Sequence, residues 1–499
     1  MTRLQSRVFV LAFVVVILFP VAVFAQPQIL ETFPPAGSVQ TQPCGPFGVR
    51  IQPGVLTQYE NALVVRGSAT GLRTRGELYL SATGDTLLFS PAIAFAPGEE
   101  VTITLRGDLR SNGQPLGQGH GWQTFIRPGQ EHLSESLASM QSQTINLSGH
   151  FPLQDLEFKA WSWTDLDGDK DLEGVLLVAS GGAHYLTTTT RNYHSNGDTY
   201  QWDVRSPAVC TADNPVDLKA IDLDGNTSGD LVLLTLSGLS YWTNPGSIYA
   251  PNVAQANQLN FPAGFHSRTL VCGDVDSDGD DDLVVLGLFG LEYLVVINDG
   301  QGQLWPQNVQ TVQQGAQPPA DKNLPWPVHA LLKDADGDGW PDLIWAAEYE
   351  EQSSYRLRLA KGNGDGTFAA AGVVSETPEF SRGLLFGRLL NPWDDSNTPA
   401  SLMSAGPDQG GGGNLCGYDF DGTWPASLAG CLSAPGLSGQ STGLGVSNFL
   451  AASQPEIWYA DRLTGTLTAC ILDAAQSIET REMPSAVAAI QVGDFNFDG

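Results

Sequence analysis

The chain has 499 residues, more than one ordinary domain holds, so several units or a repeat array are expected. It is 42% hydrophobic with 56 Gly and only 16% charged residues, a composition that suits short strands and turns better than Glu- and Lys-rich helices. With 54 acidic against 24 basic residues its formal charge is -30, which repels phosphate backbones and argues against a nucleic-acid partner.

The first 25 residues place Arg3 and Arg7 before an apolar run that ends in Val23-Phe24-Ala25. This is the pattern of a signal peptide cleaved after Ala25, with an uncleaved membrane anchor as the alternative. Either way the remainder is read as exported, secreted or held at the cell surface. No later segment is apolar enough to read as a transmembrane span. Six cysteines are too few for a disulfide framework, and Cys416 with Cys431 is the first pairing to consider.

Residues 27–127 carry strand-like stretches, among them Ala62-Leu63-Val64-Val65-Arg66, Asp85-Thr86-Leu87-Leu88-Phe89 and Val101-Thr102-Ile103-Thr104-Leu105, separated by Gly and Pro turns. The order of Pro34-Pro35-Ala36-Gly37, Gly67-Ser68, Phe89-Ser90-Pro91 and Gly121-Trp122-Gln123-Thr124-Phe125 resembles the bacterial Ig-like domain of S-layer and other surface proteins. That resemblance implies a spacer or adhesion module. Residues 128–150 lack strand periodicity, are rich in Ser and Gln, and read as a linker.

From residue 151 to 499 one pattern recurs: apolar strand, Asp-rich loop, apolar strand. Its clearest copies place Asp274, Asp276, Asp278, Asp280 and Asp282 in one loop, and Asp334, Asp336, Asp338, Trp340 and Asp342 in another. Two variants hold Asp165, Asp167, Asp169, Asp171 and Glu173, and Asp222, Asp224, Asn226, Ser228 and Asp230. A last copy begins at Asp494, Asn496 and Asp498 and stops at Gly499, so the array reads as cut at its C-terminal end.

The spacing explains the chemistry. Oxygen ligands at the first, third, fifth and ninth positions, a carbonyl from the seventh and a bend at the sixth assemble six to eight hard oxygens, a calcium shell. An EF-hand would need a bidentate Glu at the twelfth position. Here that position holds Leu176, Leu233, Val285 or Trp345, each belonging to the next strand. Lys170 at the bend of the first loop, and Asn226 with Ser228 in the second, predict weaker calcium binding there.

These loops, with Asn298-Asp299-Gly300-Gln301-Gly302 and Gly362-Asn363-Gly364-Asp365-Gly366-Thr367-Phe368, resemble the FG-GAP/VCBS repeats that build integrin-alpha-like propellers. The gap between the fourth and last loops has room for two repeats, near Gly387-Arg388-Leu389-Leu390 and near Gly445-Val446-Ser447-Asn448-Phe449, which brings the count to seven. The expected fold is therefore all-β: an N-terminal Ig-like sandwich followed by a seven-bladed, C-terminally truncated β-propeller.

HExxH, GxSxG and GxxxxGK[ST] are all missing from the sequence, and its His residues are scattered singly. The chain is accordingly expected not to be an enzyme. The expected function is a calcium-binding adhesion or ligand-binding module for an extracellular protein or glycan; the alternative is the non-catalytic part of a larger secreted, polysaccharide-active enzyme. Most of the twelve Trp residues are expected to pack in cores rather than to stack on sugars.

Overall fold

The computed structural model describes residues 26–126 and 150–482, apart from short stretches within both, including 37, 41, 69–73, 96–99, 167–172, 244–255, 312–325 and 388–399. Between 383 and 482 it describes little beyond the strands. The signal-peptide assignment, the linker core, Asp167, Asp169, Asp171 and the loop at Asp494, Asn496 and Asp498 lie outside the described residues. Among the described residues every regular element is a strand.

Residues 28–126 form a small three-stranded sheet of Gln114–Pro115, Arg110–Ser111 and Leu56–Thr57, and two four-stranded sheets. One runs in the order Gln28–Phe33, Phe47–Gln52, Thr86–Pro91, Gly76–Leu80, and the other in the order Val39–Gln40, His120–Ile126, Glu100–Leu105, Leu63–Gly67. They share one core: Phe47, Val49, Leu87 and Phe89 from the first meet Val65, Val101, Ile103 and Trp122 from the second. The alternating burial of Thr86–Pro91 is the signature of a strand with one buried face, so this unit is a β-sandwich.

The rest of the described chain is a series of antiparallel meanders of four strands, two of which carry a fifth: Ala208–Cys210 pairs with Ala183–His194, and Gln310–Thr311 with Glu292–Asn298. The first comprises Glu157–Thr164, Glu173–Ser180, Ala183–His194 and Thr199–Val204; the second Pro215–Ile221, Asp230–Thr235, Gly238–Trp242 and Asn257–Asn260. The third comprises Ser267–Gly273, Asp282–Gly287, Glu292–Asn298 and Leu304–Pro306; the fourth Trp326–Lys333, Asp342–Tyr349, Ser354–Ala360 and Gly372–Ser375. Two more follow, led by Gly383–Gly387 and Ser441–Ser447. The leading strand of each meander lies beside the leading strand of the next.

Packing explains why the second strands of the second and third meanders are buried throughout instead of alternating. In Asp230–Thr235 all six residues are buried. Leu231 and Leu233 join the core shared with the first meander, through Val175 and Leu177, whereas Val232 and Leu234 join the core shared with the third, through Leu283 and Val285. Val284 and Leu286 in turn face Leu343 and Trp345 of the fourth. The second and third meanders are thus covered on both faces by their neighbours, as blades in a propeller are.

In the fifth meander Cys416 and Cys431 are register partners on adjacent antiparallel strands.

Candidate metal centre

Each described Asp-rich loop joins the leading strand of a meander to its second strand, and the register is the same every time. Ile221 pairs with Asp230, Gly273 with Asp282 and Lys333 with Asp342, so the first ligand position follows the leading strand directly and the ninth opens the second strand. Thr164 and Glu173 are related in the same way in the first meander.

Within the loops, carboxylates organise the backbone. The ninth residue accepts the amide of the second: Leu166 N donates to Glu173 Oε2 at 2.9 Å, Leu223 N to Asp230 Oδ2 at 2.8 Å, Val275 N to Asp282 Oδ2 at 2.9 Å and Ala335 N to Asp342 Oδ2 at 3.1 Å. The first residue accepts the amide of the sixth, from Thr227 to Asp222 at 2.9 Å, Gly279 to Asp274 at 3.0 Å and Gly339 to Asp334 at 3.0 Å. The third accepts from the fifth, and the fifth from the seventh: Asp278 N reaches Asp276 at 3.2 Å, and Asp280 N reaches Asp278 at 2.9 Å. The pairs Asp338 with Asp336 and Trp340 with Asp338 repeat this, as do Asn226 with Asp224 and Ser228 with Asn226. The turns at Asp276 and Asp278 use one oxygen of each side chain, whereas Asp222, Asp334, Asp282 and Asp342 accept amides with both.

Two left-handed residues make the tight curl possible. The fourth position is Gly225, Ser277 or Gly337 with φ of 71°, 61° and 76°, and the sixth is Thr227, Gly279 or Gly339 with φ of 71°, 94° and 91°. Thr227 is β-branched and Ser277 is a non-glycine residue, so both sit in a costly conformation that the surrounding loop imposes.

The outcome is three carboxylate triads: Asp222, Asp224 and Asp230; Asp274, Asp276 and Asp282; Asp334, Asp336 and Asp342. In each, one oxygen per residue lies within 4.8 Å of the others. Asp230, Asp282 and Asp342 are fully buried. Asp274 Oδ1 is buried without a hydrogen-bond partner. Burial pushes Asp274 up to about 7 against the pull of Arg66, Asp334 and Asp342 likewise up to about 7, and Asp276 and Asp222 up to about 6. Desolvated carboxylates at such distances repel, and a hard divalent cation held by oxygen is the group that reconciles them. A buried oxygen with no donor is the atom such an ion would use, so the donor set fits calcium.

Further contacts shape these loops without any sign in the loop motif. Lys361 Nζ forms ion pairs with Asp336 and, at 2.9 Å, with Asp338, placing an ammonium beside the ligands of the fourth meander. Asp281, the eighth residue of its loop, points away from the triad to Arg66, whose Nε lies 2.9 Å from Asp281 Oδ1. Asn298 N donates to Asp282 Oδ1 at 2.8 Å, just as Gly362 N does to Asp342 Oδ1, so the turns that begin at Asn298 and Gly362 each buttress a ninth carboxylate from the next hairpin. Asp280, the seventh residue, turns its carboxylate to Arg106 at 3.7 Å. Of the first loop only Asp165, Leu166 and Glu173 lie among the described residues.

The meanders, packed face to face with their leading strands side by side, define the chain as a β-propeller in its coarse class. No family model matches the chain, and no curated protein matches it. Solved structures similar to it include a protein from Lactobacillus plantarum (TM-score 0.42, 14% identity, covering 66% of this chain and 85% of that one). Others are the β-propeller domain of Nup133 from Vanderwaltozyma polyspora (0.38, 10%, covering 64% and 86%) and a periplasmic gluconolactonase from Pseudomonas aeruginosa (0.37, 11%, covering 85% and 97%). None of these three is an FG-GAP protein by its description, and at such values a likeness says nothing about activity.

The gluconolactonase does correct one expectation. The chain was read as no enzyme because familiar hydrolase motifs are missing, yet an enzyme stands among the similar structures. Propeller sheets serve catalysis as well as binding, and short motifs do not separate the two.

Proposed function

We propose that this chain is a secreted or cell-surface calcium-binding propeller of the FG-GAP/VCBS type, and that it presents its surface to an extracellular protein or glycan. In this reading the N-terminal sandwich is an S-layer-type Ig-like spacer, and the propeller has seven blades. Calcium is held by the first, third, fifth and ninth side chains of each loop with the seventh carbonyl: Asp274, Asp276, Asp278 and Asp282 with the carbonyl of Asp280, and Asp334, Asp336, Asp338 and Asp342 with that of Trp340. Asp222, Asp224, Asn226 and Asp230, with Ser228, hold a weaker site. Asp165, Asp167, Asp169, Asp171 and Glu173 are assigned another, as is the set begun by Asp494, Asn496 and Asp498.

The observation that carries the proposal is the buried, unpartnered Asp274 Oδ1 inside a triad whose geometry recurs in two neighbouring blades. Calcium here stiffens the blade edge, since it ties the start of each second strand to the loop before it.

Two measurements test the two halves. Melting the full chain in calcium and in chelator should give a transition several degrees lower in chelator, because a ligand bound only by the folded state adds RT ln(1 + [L]/Kd). Identical melts would defeat the calcium assignment. An array of glycans and surface proteins, probed with and without calcium, should yield a ligand whose binding needs the ion; product formation from an arrayed substrate would replace the binding role with a catalytic one.

A further inference from the structure

The sandwich sits on the cation loops, and it touches the same place in each. Arg75 bonds Thr227, the sixth residue of the second meander's loop. Arg66 donates through a terminal guanidinium nitrogen to the carbonyl of Gly279, the sixth residue of the third, at 2.5 Å. The amide of Gly121 donates to the carbonyl of Gly339, the sixth residue of the fourth, at 2.9 Å. Three apices in three successive blades are therefore gripped by one domain.

The fit around these contacts is close. A Cβ on Gly119 would lie 1.9 Å from the Ser277 carbonyl oxygen, and one on Gly279 would lie 2.9 Å from Val64 Cγ2. Arg66 is 9% exposed and Asp281 4%, so their ion pair is desolvated. Lys333 with Glu100 at 2.6 Å, and Gln118 donating to the Asn363 carbonyl at 3.1 Å, extend the contact to the leading strand and hairpin of the fourth meander.

We infer that cation binding in the three loops and seating of the sandwich form one coupled equilibrium, in which the sandwich docks on loaded loops and is released from emptied ones. The inference rests on the calcium reading above. The sixth residue is the apex of the curl, and its left-handed backbone is held by the amide it donates to the first ligand carboxylate. Remove the ion, and six carboxylates within residues 274–282 repel one another, with Arg66 and Arg106 offsetting part of that repulsion. The curl then opens, and the carbonyls of Gly279 and Gly339 leave the positions that Arg66 and Gly121 require. Linkage demands the converse: a docked sandwich raises calcium affinity by the same factor that calcium favours docking.

The test combines a calcium titration by calorimetry with small-angle X-ray scattering on the full chain, in calcium and in chelator, below the melting transition in both buffers. Expected are calcium binding in the titration and a larger radius of gyration in chelator. Gly119→Val, which blocks seating without touching a ligand, should stay extended in calcium and lose about fivefold or more in calcium affinity. Calcium binding with identical scattering in both buffers overturns the coupling and leaves the calcium reading standing. A titration without heat removes that reading and the coupling together. Wild-type chelation needs no variant, so a Gly119→Val chain that fails to fold does not shield the inference.

Discussion

At the scale of single residues, Lys361 tells most about how these loops are tuned. Its ammonium lies against Asp336 and Asp338, where it neutralises part of the charge that would attract a cation and must be displaced or tolerated when one binds. Lys361→Met should therefore raise calcium affinity in the fourth meander's loop about fivefold, a change of about 1 kcal/mol for a half-exposed pair, read by calorimetry or by terbium luminescence sensitised by Trp340. Protons compete as well. Burial lifts Asp274, Asp334 and Asp342 to about 7, so without a cation the folded chain holds protons that the unfolded chain releases near pH 4. These groups support the metal-free fold below about pH 4 and withdraw that support as the pH climbs through 7. In chelator the melting temperature should fall between about pH 5 and about pH 8, while in calcium, which replaces the protons, it should hold; a parallel decline in both buffers would count against ligation by these carboxylates.

The element scale is where strand and loop depend on each other. The ninth carboxylate is both ligand and staple: Asp342 is buried, and its two oxygens accept the amides of Ala335 and Gly362. Asp342→Ala should destabilise the chain even in chelator, by about 2–4 kcal/mol for two buried amides left unpaired, whereas Asp336→Asn should cost little stability in chelator but remove calcium binding at that loop. Trp345, fully buried three residues further on between the third and fourth meanders, should cost about 3–5 kcal/mol on truncation to Ala. Much of this was legible in the sequence, because ligand spacing is local. A residue at every second position with a bend at the sixth states its geometry within nine residues, and the apolar twelfth position marks the strand that follows. The second bend at the fourth position was not legible, since Ser277 gives no hint of a left-handed backbone. Nor was the role of Asp281: in the run Asp280-Asp281-Asp282, spacing assigns the seventh and ninth residues but cannot say that the eighth faces another domain.

At the scale of the molecule, sequence reasoning reached the all-β architecture and the repeat, yet not the relation between its parts. Leu63–Gly67 reads as one more strand of an N-terminal unit, and nothing in that stretch singles out Arg66. Its partners lie more than two hundred residues away, and no local pattern announces a contact of that span. The missing hydrolase motifs misled for the opposite reason: a list of short motifs samples few of the ways a propeller can place reactive groups. A chain with formal charge -30 also carries a general cost of self-repulsion, which loop-bound cations reduce where the acidic residues are densest.

Calorimetric titration of calcium into the decalcified full chain tests the central claim most directly. The account predicts heat with at least three sites, one lost in Asp274→Asn and a different one lost in Asp334→Asn. A flat titration, or variants that bind as many ions as the parent, would contradict it.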